Sequence, residues 1–356
     1  MRKLRTDPVS YEREADTLKR KDEHLNICMH EDVQGLGSGT GLDRYRFRHN
    51  ALPELDFSAM DTSTQFLGRK LRVPFIVSSM TGGTLRAGEI NRRLAAVAQA
   101  RGWALGLGSL RSAIENAEAA TTFRVRKLAP DIPIIANIGA VQLNYGFNAE
   151  TCKDAIDIAE ADGLVFHLNS LQEVIQTGGN TNFNGLLLHI ERVCRLLTVP
   201  VGVKEVGWGI DGKTARLLFD AGVQYIDVAG AGGTSWSQVE KLRSADPMKK
   251  AAAEIFAQWG IPTAESIKEV RSALPDIFMI GSGGISNGLE ASKALALGAN
   301  LVGFGRSLLE AAHESEEKLG LVFEQAELEL RIAMFGIGAA NIQELRDTDR
   351  LLPVRS

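Results

Sequence analysis

Lys204 stands inside an otherwise apolar run, PVGVKEVG (Pro200–Gly207). A buried ammonium is costly unless it is paired or faces a ligand. Glu205 is adjacent, but neighbouring strand residues point to opposite faces. Lys204 is therefore expected to face inward towards an anionic ligand, with Schiff-base chemistry as a second option. Upstream, HLNSLQE (His167–Glu173) gathers an imidazole, amides and a carboxylate. Alternation places His167 and Asn169 on one face. Glu173 is a candidate ligand for Mg²⁺ shared with substrate phosphates; the competing reading is a capping Asn169 beside a solvated carboxylate. Arg111, two residues after Ser109, is suited to grip a phosphate bidentately or to sit on the surface. Arg20, Lys21 and His24 form a cationic cluster beside Asp22 and Glu23, which unaided reads as a solvated face. Two Gly-rich turns, GSGGIS (Gly281–Ser286) and GFGR (Gly303–Arg306), leave backbone N–H groups open to an anion, and a following helix adds its dipole.

These groups need a scaffold, and the chain repeats one. Apolar runs begin near Val73, Trp103, Ile132, Gly163, Val199, Tyr225, Ile277 and Leu301. Each ends in Gly, Ser or Asn and leads into a helix-periodic segment. The intervals are 24 to 36 residues, except for 52 between Tyr225 and Ile277. A βα unit takes about 30 residues, so eight runs fit eight units and a (β/α)8 TIM barrel, with a doubly wound open sheet as runner-up. The chain then reads as a single domain. Residues 1–70 are an arm, 73–307 the barrel, 234–260 an insertion after strand six expected to act as a lid or substrate loop, and 308–356 outer helices. The stretch GLGSGTG (Gly35–Gly41) in the arm is expected to be mobile.

Barrel chemistry sits at the carboxyl ends of the strands. That selects Ser79, Thr81, Ser109, Arg111, Asn137, His167, Asn169, Gln172, Glu173, Lys204, Glu205, Thr234 and Ser282. Loops seven and eight are the usual phosphate site of such barrels. One motif competes: GWGIDG (Gly207–Gly212) matches the dinucleotide fingerprint, with Asp227 downstream, but it lies in the fifth unit of the series rather than the first of a Rossmann half.

Composition narrows the class. The 356 residues are 44% hydrophobic and 24% charged with a net charge of −4, far from the disordered regime. No run approaches a membrane span, and the charged opening residues are not expected to form a secretory signal. The three cysteines, Cys28, Cys152 and Cys194, include no CxxC pair, which argues against a disulfide scaffold or a structural zinc site. No basic block marks nucleic acid. Glycine is in excess, 36 residues, much of it at the predicted strand ends.

Taken together, RKDEHL (Arg20–Leu25), SSMTGG (Ser78–Gly83), GSLRSA (Gly108–Ala113), ANIGA (Ala136–Ala140), HLNSLQE, VGVKEVGWG (Val201–Gly209), AGAGGTSW (Ala229–Trp236) and GSGGISNG (Gly281–Gly288) resemble the type 2, FMN-dependent isopentenyl-diphosphate isomerases. The resemblance implies that FMN is held by Ser79, Met80, Thr81, Ser109, Asn137, Lys204 and Thr234. Backbone at Gly284, Ile285, Ser286, Gly305 and Arg306 takes its phosphate. It places the substrate diphosphate at Arg20, Lys21, His24, Ser109 and Arg111. It makes Gln172, Lys204 and His167 the catalytic residues, Gln172 an orienting group first and a candidate proton relay second. Gln172 and Asn169 also contact substrate, and Glu173 ligates Mg²⁺. It also implies reduction by NADPH, reduced FMN as the acid–base, Lys204 stabilising the anionic reduced flavin, a cytoplasmic location and a homo-oligomer, tetramer or octamer. Three positions depart from the family's pattern: Leu110, often Gln; Ser286, commonly Arg; and Gly305, usually Ala. The rival on the same barrel is an FMN-dependent 2-hydroxy-acid oxidase. That chemistry needs a His beside an Arg near strand seven, where GSGGIS has neither.

Overall fold

The apolar runs become eight short strands: β1 (Phe75–Val77), β2 (Ala104–Ser109), β3 (Ile134–Gly139), β4 (Gly163–His167), β5 (Val201–Lys204), β6 (Tyr225–Asp227), β7 (Phe278–Ser282) and β8 (Leu301–Phe304). The structure, a computed structural model, describes residues 8–35, 37 and 39–354, with side chains from Lys19 onwards. Each strand pairs in parallel with the next and β8 closes onto β1, so the sheet is a closed barrel and not an open one. All six residues of β3 are buried, which is why the run carries no polar alternation: helices cover one face and the barrel interior the other.

The amino end of the barrel is sealed. A hairpin, Thr64–Phe66 with Arg69–Leu71, sets Phe66 edge-on to Tyr225 (5.4 Å) and stacked on Phe278 (4.7 Å). Asp162 locks this floor, accepting from Arg69 at 2.7 Å and Arg126 at 2.6 Å. Tyr225 fits because β5 has Gly202 beside it; a Cβ there would lie 2.1 Å from the ring.

The other end is roofed. The arm helix Pro8–His30 and the insertion helix Trp236–Arg243 lie at the carboxyl mouth, and the second insertion helix, Pro247–Ile255, packs on the first. The arm is tied to loop six: Gly35 N–H donates to Gly233 O (3.1 Å) and Ser235 N–H to Val33 O (2.7 Å). Within the Gly-rich stretch, Leu36 and Ser38 lie outside the described residues, while Gly35 is pinned at that bond. The tail forms helices Leu309–Glu314, Glu316–Ile337 and Ile342–Arg346, as expected. Phe323 of the longest stacks on Trp103 at 3.8 Å, and Glu327 accepts the indole N–H at 2.8 Å. The tail is not wholly helical: Leu351–Pro353 pairs antiparallel with Tyr45–Phe47, joining the two ends of the domain. Among the described residues no helix is long and apolar enough to cross a membrane.

Candidate active site

A cavity of about 810 Å³ opens at the carboxyl ends of the strands. Its floor begins as a belt of polar side chains on successive strands. Asn137 on β3, His167 on β4, Lys204 on β5 and Ser282 on β7 line it, with Asp227 of β6 set just behind. His167 pairs in register with Lys204, and Lys204 with Asp227. His167 Nδ1–H donates to Asn137 Oδ1 at 2.8 Å, which leaves Nε2 as an acceptor. Burial, with Lys204 and Lys21 adding to it, pushes this imidazole down to about 3, so it is neutral. Lys204 faces inward as expected. It does not pair with the Glu205 side chain: its Nζ donates to the Glu205 backbone carbonyl at 2.5 Å. The Glu205 carboxylate instead collects the N–H groups of Val206 and Gly207 at 2.7 Å and Trp208 at 2.5 Å, stapling the loop after β5.

The competing fingerprint dissolves here. Asp211 caps the helix Gly212–Asp220 through Thr214 N–H (2.6 Å), and Asp227 is buried inside the barrel rather than offered to a ribose.

Loops seven and eight form a backbone cradle. Gly284 holds φ +76°, and a Cβ on it would sit 2.5 Å from Gly232 backbone. The N–H groups of Gly284, Ile285 and Arg306 have no protein acceptor among the described residues. Ser286 differs: its N–H and hydroxyl both donate to Glu290, at 2.8 and 3.0 Å, so the cradle rests on its neighbours. Ser79, Met80, Thr81, Ser109, Thr234 and Gly305 also line the cavity, and the hydroxyl of neighbouring Ser78 is buried without a partner.

The roof brings the cationic cluster down from the arm. Arg20, Lys21, His24, Leu25 and Cys28 share one helix face, at i, i+1, i+4, i+5 and i+8, and all line the cavity. Lys21 Nζ donates to Ser109 O (3.0 Å) and Ser112 Oγ (2.7 Å) and lies 5.3 Å over the Phe123 ring. Burial, with Arg20 beside it, pushes this ammonium down to about 7. Arg111 also lines the cavity, paired with Glu115 at 3.0 Å. The solvated-face reading of this cluster therefore does not hold.

Glu240, on the insertion helix, joins arm, insertion and loop four. It accepts from His24 (2.8 Å), Gln172 (3.3 Å) and Arg243 (3.1 Å). Gln176, with its amide turned to satisfy both ends, donates to Glu240 at 3.2 Å and accepts from Arg20 at 3.0 Å. Burial opposes ionisation of Glu240, but His24, Arg243 and Gln172 outweigh it and hold the carboxyl below its ordinary range. Glu173 is buried rather than solvated, and accepts from Asn169 Nδ2 (2.9 Å) and Asn180 N–H (2.6 Å). Asn169 Oδ1 is buried without a partner. No group of three or more His, Cys, Asp or Glu that could hold a metal occurs among the described residues. Sequence reasoning missed Glu240, Gln176 and Glu290. Gln176 was within reach, one turn after Gln172 on the same helical face; Glu240 carried no local signal beyond lying in the insertion.

A closed parallel barrel with a phosphate-sized backbone cradle on loops seven and eight, beside an inward lysine on β5, defines a class of flavin-binding barrels. The model of the FMN-dependent dehydrogenase family matches residues 38–163 and 167–351. Solved structures agree in fold: a mandelate oxidase variant with a monooxide FMN adduct has a TM-score of 0.66 at 20% identity, covering 98% of this chain and 99% of that one. Mandelate oxidase with benzoyl-formic acid gives 0.64 at 19%, covering 96% and 98%. The particular branch is set by closer relatives. The isopentenyl-diphosphate delta-isomerase of Oceanobacillus iheyensis is 53% identical, over 94% of this chain and 95% of its own. That of a Nostoc species is 48% identical, over 97% and 99%. The chain belongs to the FMN-dependent isopentenyl-diphosphate delta-isomerases.

Proposed function

We propose that this enzyme interconverts isopentenyl and dimethylallyl diphosphate by acid–base chemistry on reduced FMN, within isoprenoid biosynthesis. The observation that carries the reading is one cavity with two separate anion-receiving groups. One is the backbone cradle of Gly284, Ile285 and Arg306; the other is the cluster of Arg20, Lys21 and Arg111. A flavin mononucleotide and a diphosphate substrate each need one.

The residues present fit FMN. The cradle is too tight for a side chain and rich in free donors, Ser78 Oγ is an orphaned hydroxyl, and Ser79, Met80, Thr81, Ser109, Asn137, Lys204 and Thr234 line the remaining wall. When bound and reduced, FMN supplies the acid–base chemistry at the carbon–carbon double bond. Lys204 offers a preorganised positive charge to an anionic ring edge. His167, neutral, offers Nε2 as an acceptor, and Gln172, held by Glu240, orients the hydrocarbon end. Arg20, Lys21, His24, Ser109 and Arg111 bind the diphosphate, while the arm and the insertion exclude water. Mg²⁺ fits Glu173 with the free Asn169 Oδ1: hard oxygen donors, too few to cage an ion, so the diphosphate completes its shell.

NADPH is the reductant in this reading, and the compartment is the cytoplasm. The reading includes a homo-oligomer, tetramer or octamer; Leu321, Leu328 and Ile332, exposed on one face of the long tail helix, favour self-association without setting the number of copies.

The test is an assay with isopentenyl diphosphate, FMN and Mg²⁺, with and without NADPH. Isomerisation is expected only with the reductant, and Glu173→Gln should raise the half-saturating Mg²⁺ concentration at least tenfold. Turnover with fully oxidised flavin, or oxidation of a 2-hydroxy acid instead, would contradict the reading.

A further inference from the structure

Asp227 ends β6 inside the barrel, 6% exposed, between two residues that line the cavity: Lys204 on β5 and Ser282 on β7. Ser282 Oγ donates to Asp227 Oδ1 at 2.5 Å, and Ala229 N–H donates to the same oxygen at 3.3 Å. Ala229 takes φ +38°, a value alanine rarely adopts, so the turn that presents its N–H is held against strain.

Two neutral donors do not account for a carboxylate. An asparagine oxygen would accept both bonds, and a buried charge costs far more than a buried amide. What remains to compensate it is the Lys204 ammonium, its register partner on the adjoining strand. The other titratable groups around Lys204 do not serve. His167 on β4 is neutral, Lys21 from the arm is a like charge, and the Glu205 carboxylate is turned into the N–H groups of residues 206–208. Asp227 is the remaining acid beside Lys204 on the interior side: burial pushes its carboxyl up, and the Lys204 charge, Ser282 and the Ala229 N–H favour its ionised form against that.

We propose that Asp227 is a positioning residue that acts through Lys204: it fixes the ammonium at the flavin edge and sets how strongly the site prefers reduced, anionic FMN over oxidised FMN. The inference rests on the FMN reading above. A fixed anion behind the ammonium offsets part of the pull on the reduced flavin, so that the ring can still pass a proton to substrate and take one back.

The test is Asp227→Asn in the FMN-loaded protein, reading the affinity for reduced FMN relative to oxidised FMN. Removing an anion on the strand next to Lys204, in a poorly screened site, should raise that ratio about tenfold. Lys204→Met should lower it, and the double variant should depart from the sum of the two. A residue that merely held the fold would weaken both redox forms alike. A ratio within twofold of wild type, or a shift towards oxidised FMN, overturns the proposal. Should Asp227→Asn not fold, infrared difference spectra on flavin reduction decide the matter, using Asp227-containing protein with ¹³C-labelled aspartate. Asp43→Asn in that protein removes the aspartate that lines the cavity itself. A labelled carboxylate band that shifts supports the role, and silence there overturns it. A wild-type protein that binds no FMN would refute the FMN reading itself, an outcome distinct from an unmoved ratio.

Discussion

His24 of the arm helix and Glu240 of the insertion meet at 2.8 Å across 216 residues of sequence. Glu240 also holds Gln172 and Arg243, and Arg243 reaches back to Glu23 of the arm at 2.9 Å. One nearly inaccessible carboxylate thus couples the roof to Gln172 in the cavity wall. A hydrogen bond to a buried charge contributes about 1.5–3 kcal/mol, so loss of this hub should be felt in binding.

Glu240→Gln keeps the shape and removes the charge. The KM for isopentenyl diphosphate should rise about 10–100-fold, following that magnitude. FMN affinity should stay within twofold, because the cradle lies on other loops. Steady-state kinetics beside a flavin titration separates the two; equal losses in both would mean that Glu240 supports the whole mouth.

Lys21 titrates near 7 because burial removes water from its ammonium, with Arg20 adding repulsion. A diphosphate favours the charged form, so binding at pH 8 should take up a proton. Affinity should then fall by up to about tenfold per pH unit above 7. Calorimetry in two buffers of different ionisation enthalpy counts the proton, and Lys21→Met should abolish it. The sign for folding follows. Between about 7 and the ordinary 10.5 the unfolded chain binds the extra proton, so this residue makes stability rise with pH across that window. No uptake in wild type would place the charge on Lys21 permanently.

His167 should not titrate between pH 5 and 8. Its folded value of about 3 keeps it neutral, with hydrogen on Nδ1 and an open Nε2. Nitrogen-15 NMR of the imidazole tests this directly. A titration in that interval would make the ring a candidate acid and displace its role as a neutral acceptor.

Gly284→Ala should produce a colourless protein. The new Cβ would meet Gly232 backbone at 2.5 Å, and the backbone holds φ +76°. Strain of about 1–3 kcal/mol should lower Tm by a few degrees, while FMN affinity falls at least 100-fold as the cradle opens. Flavin absorbance of the purified variant reads the outcome; a wild-type complement of flavin would show that the cradle holds something else.

The eight units were legible because strands buried on both faces must be continuously apolar, and each run ends where side chains reach the mouth. Lys204 stood out for the same reason: nothing but a ligand or a partner justifies an ammonium in such a run. Other parts were hidden by the same locality. Arg20, Lys21 and His24 look like an ordinary charged helix face until the fold lowers that helix onto the cavity. Asp227 resembled the acid of a dinucleotide fingerprint, because a linear spacing does not distinguish a ribose from a barrel interior. Glu240 is the single acid of a short polar helix, and two of its partners, His24 and Gln172, lie in distant segments. Ser286 read as cradle backbone, yet Glu290 takes its N–H.

Sequence alone therefore determined what burial and local periodicity control: the barrel, the inward lysine and the glycines at its mouth. Tertiary structure alone decided which charges face one another, since electrostatics and hydrogen bonding act through space and carry no signature in chain order.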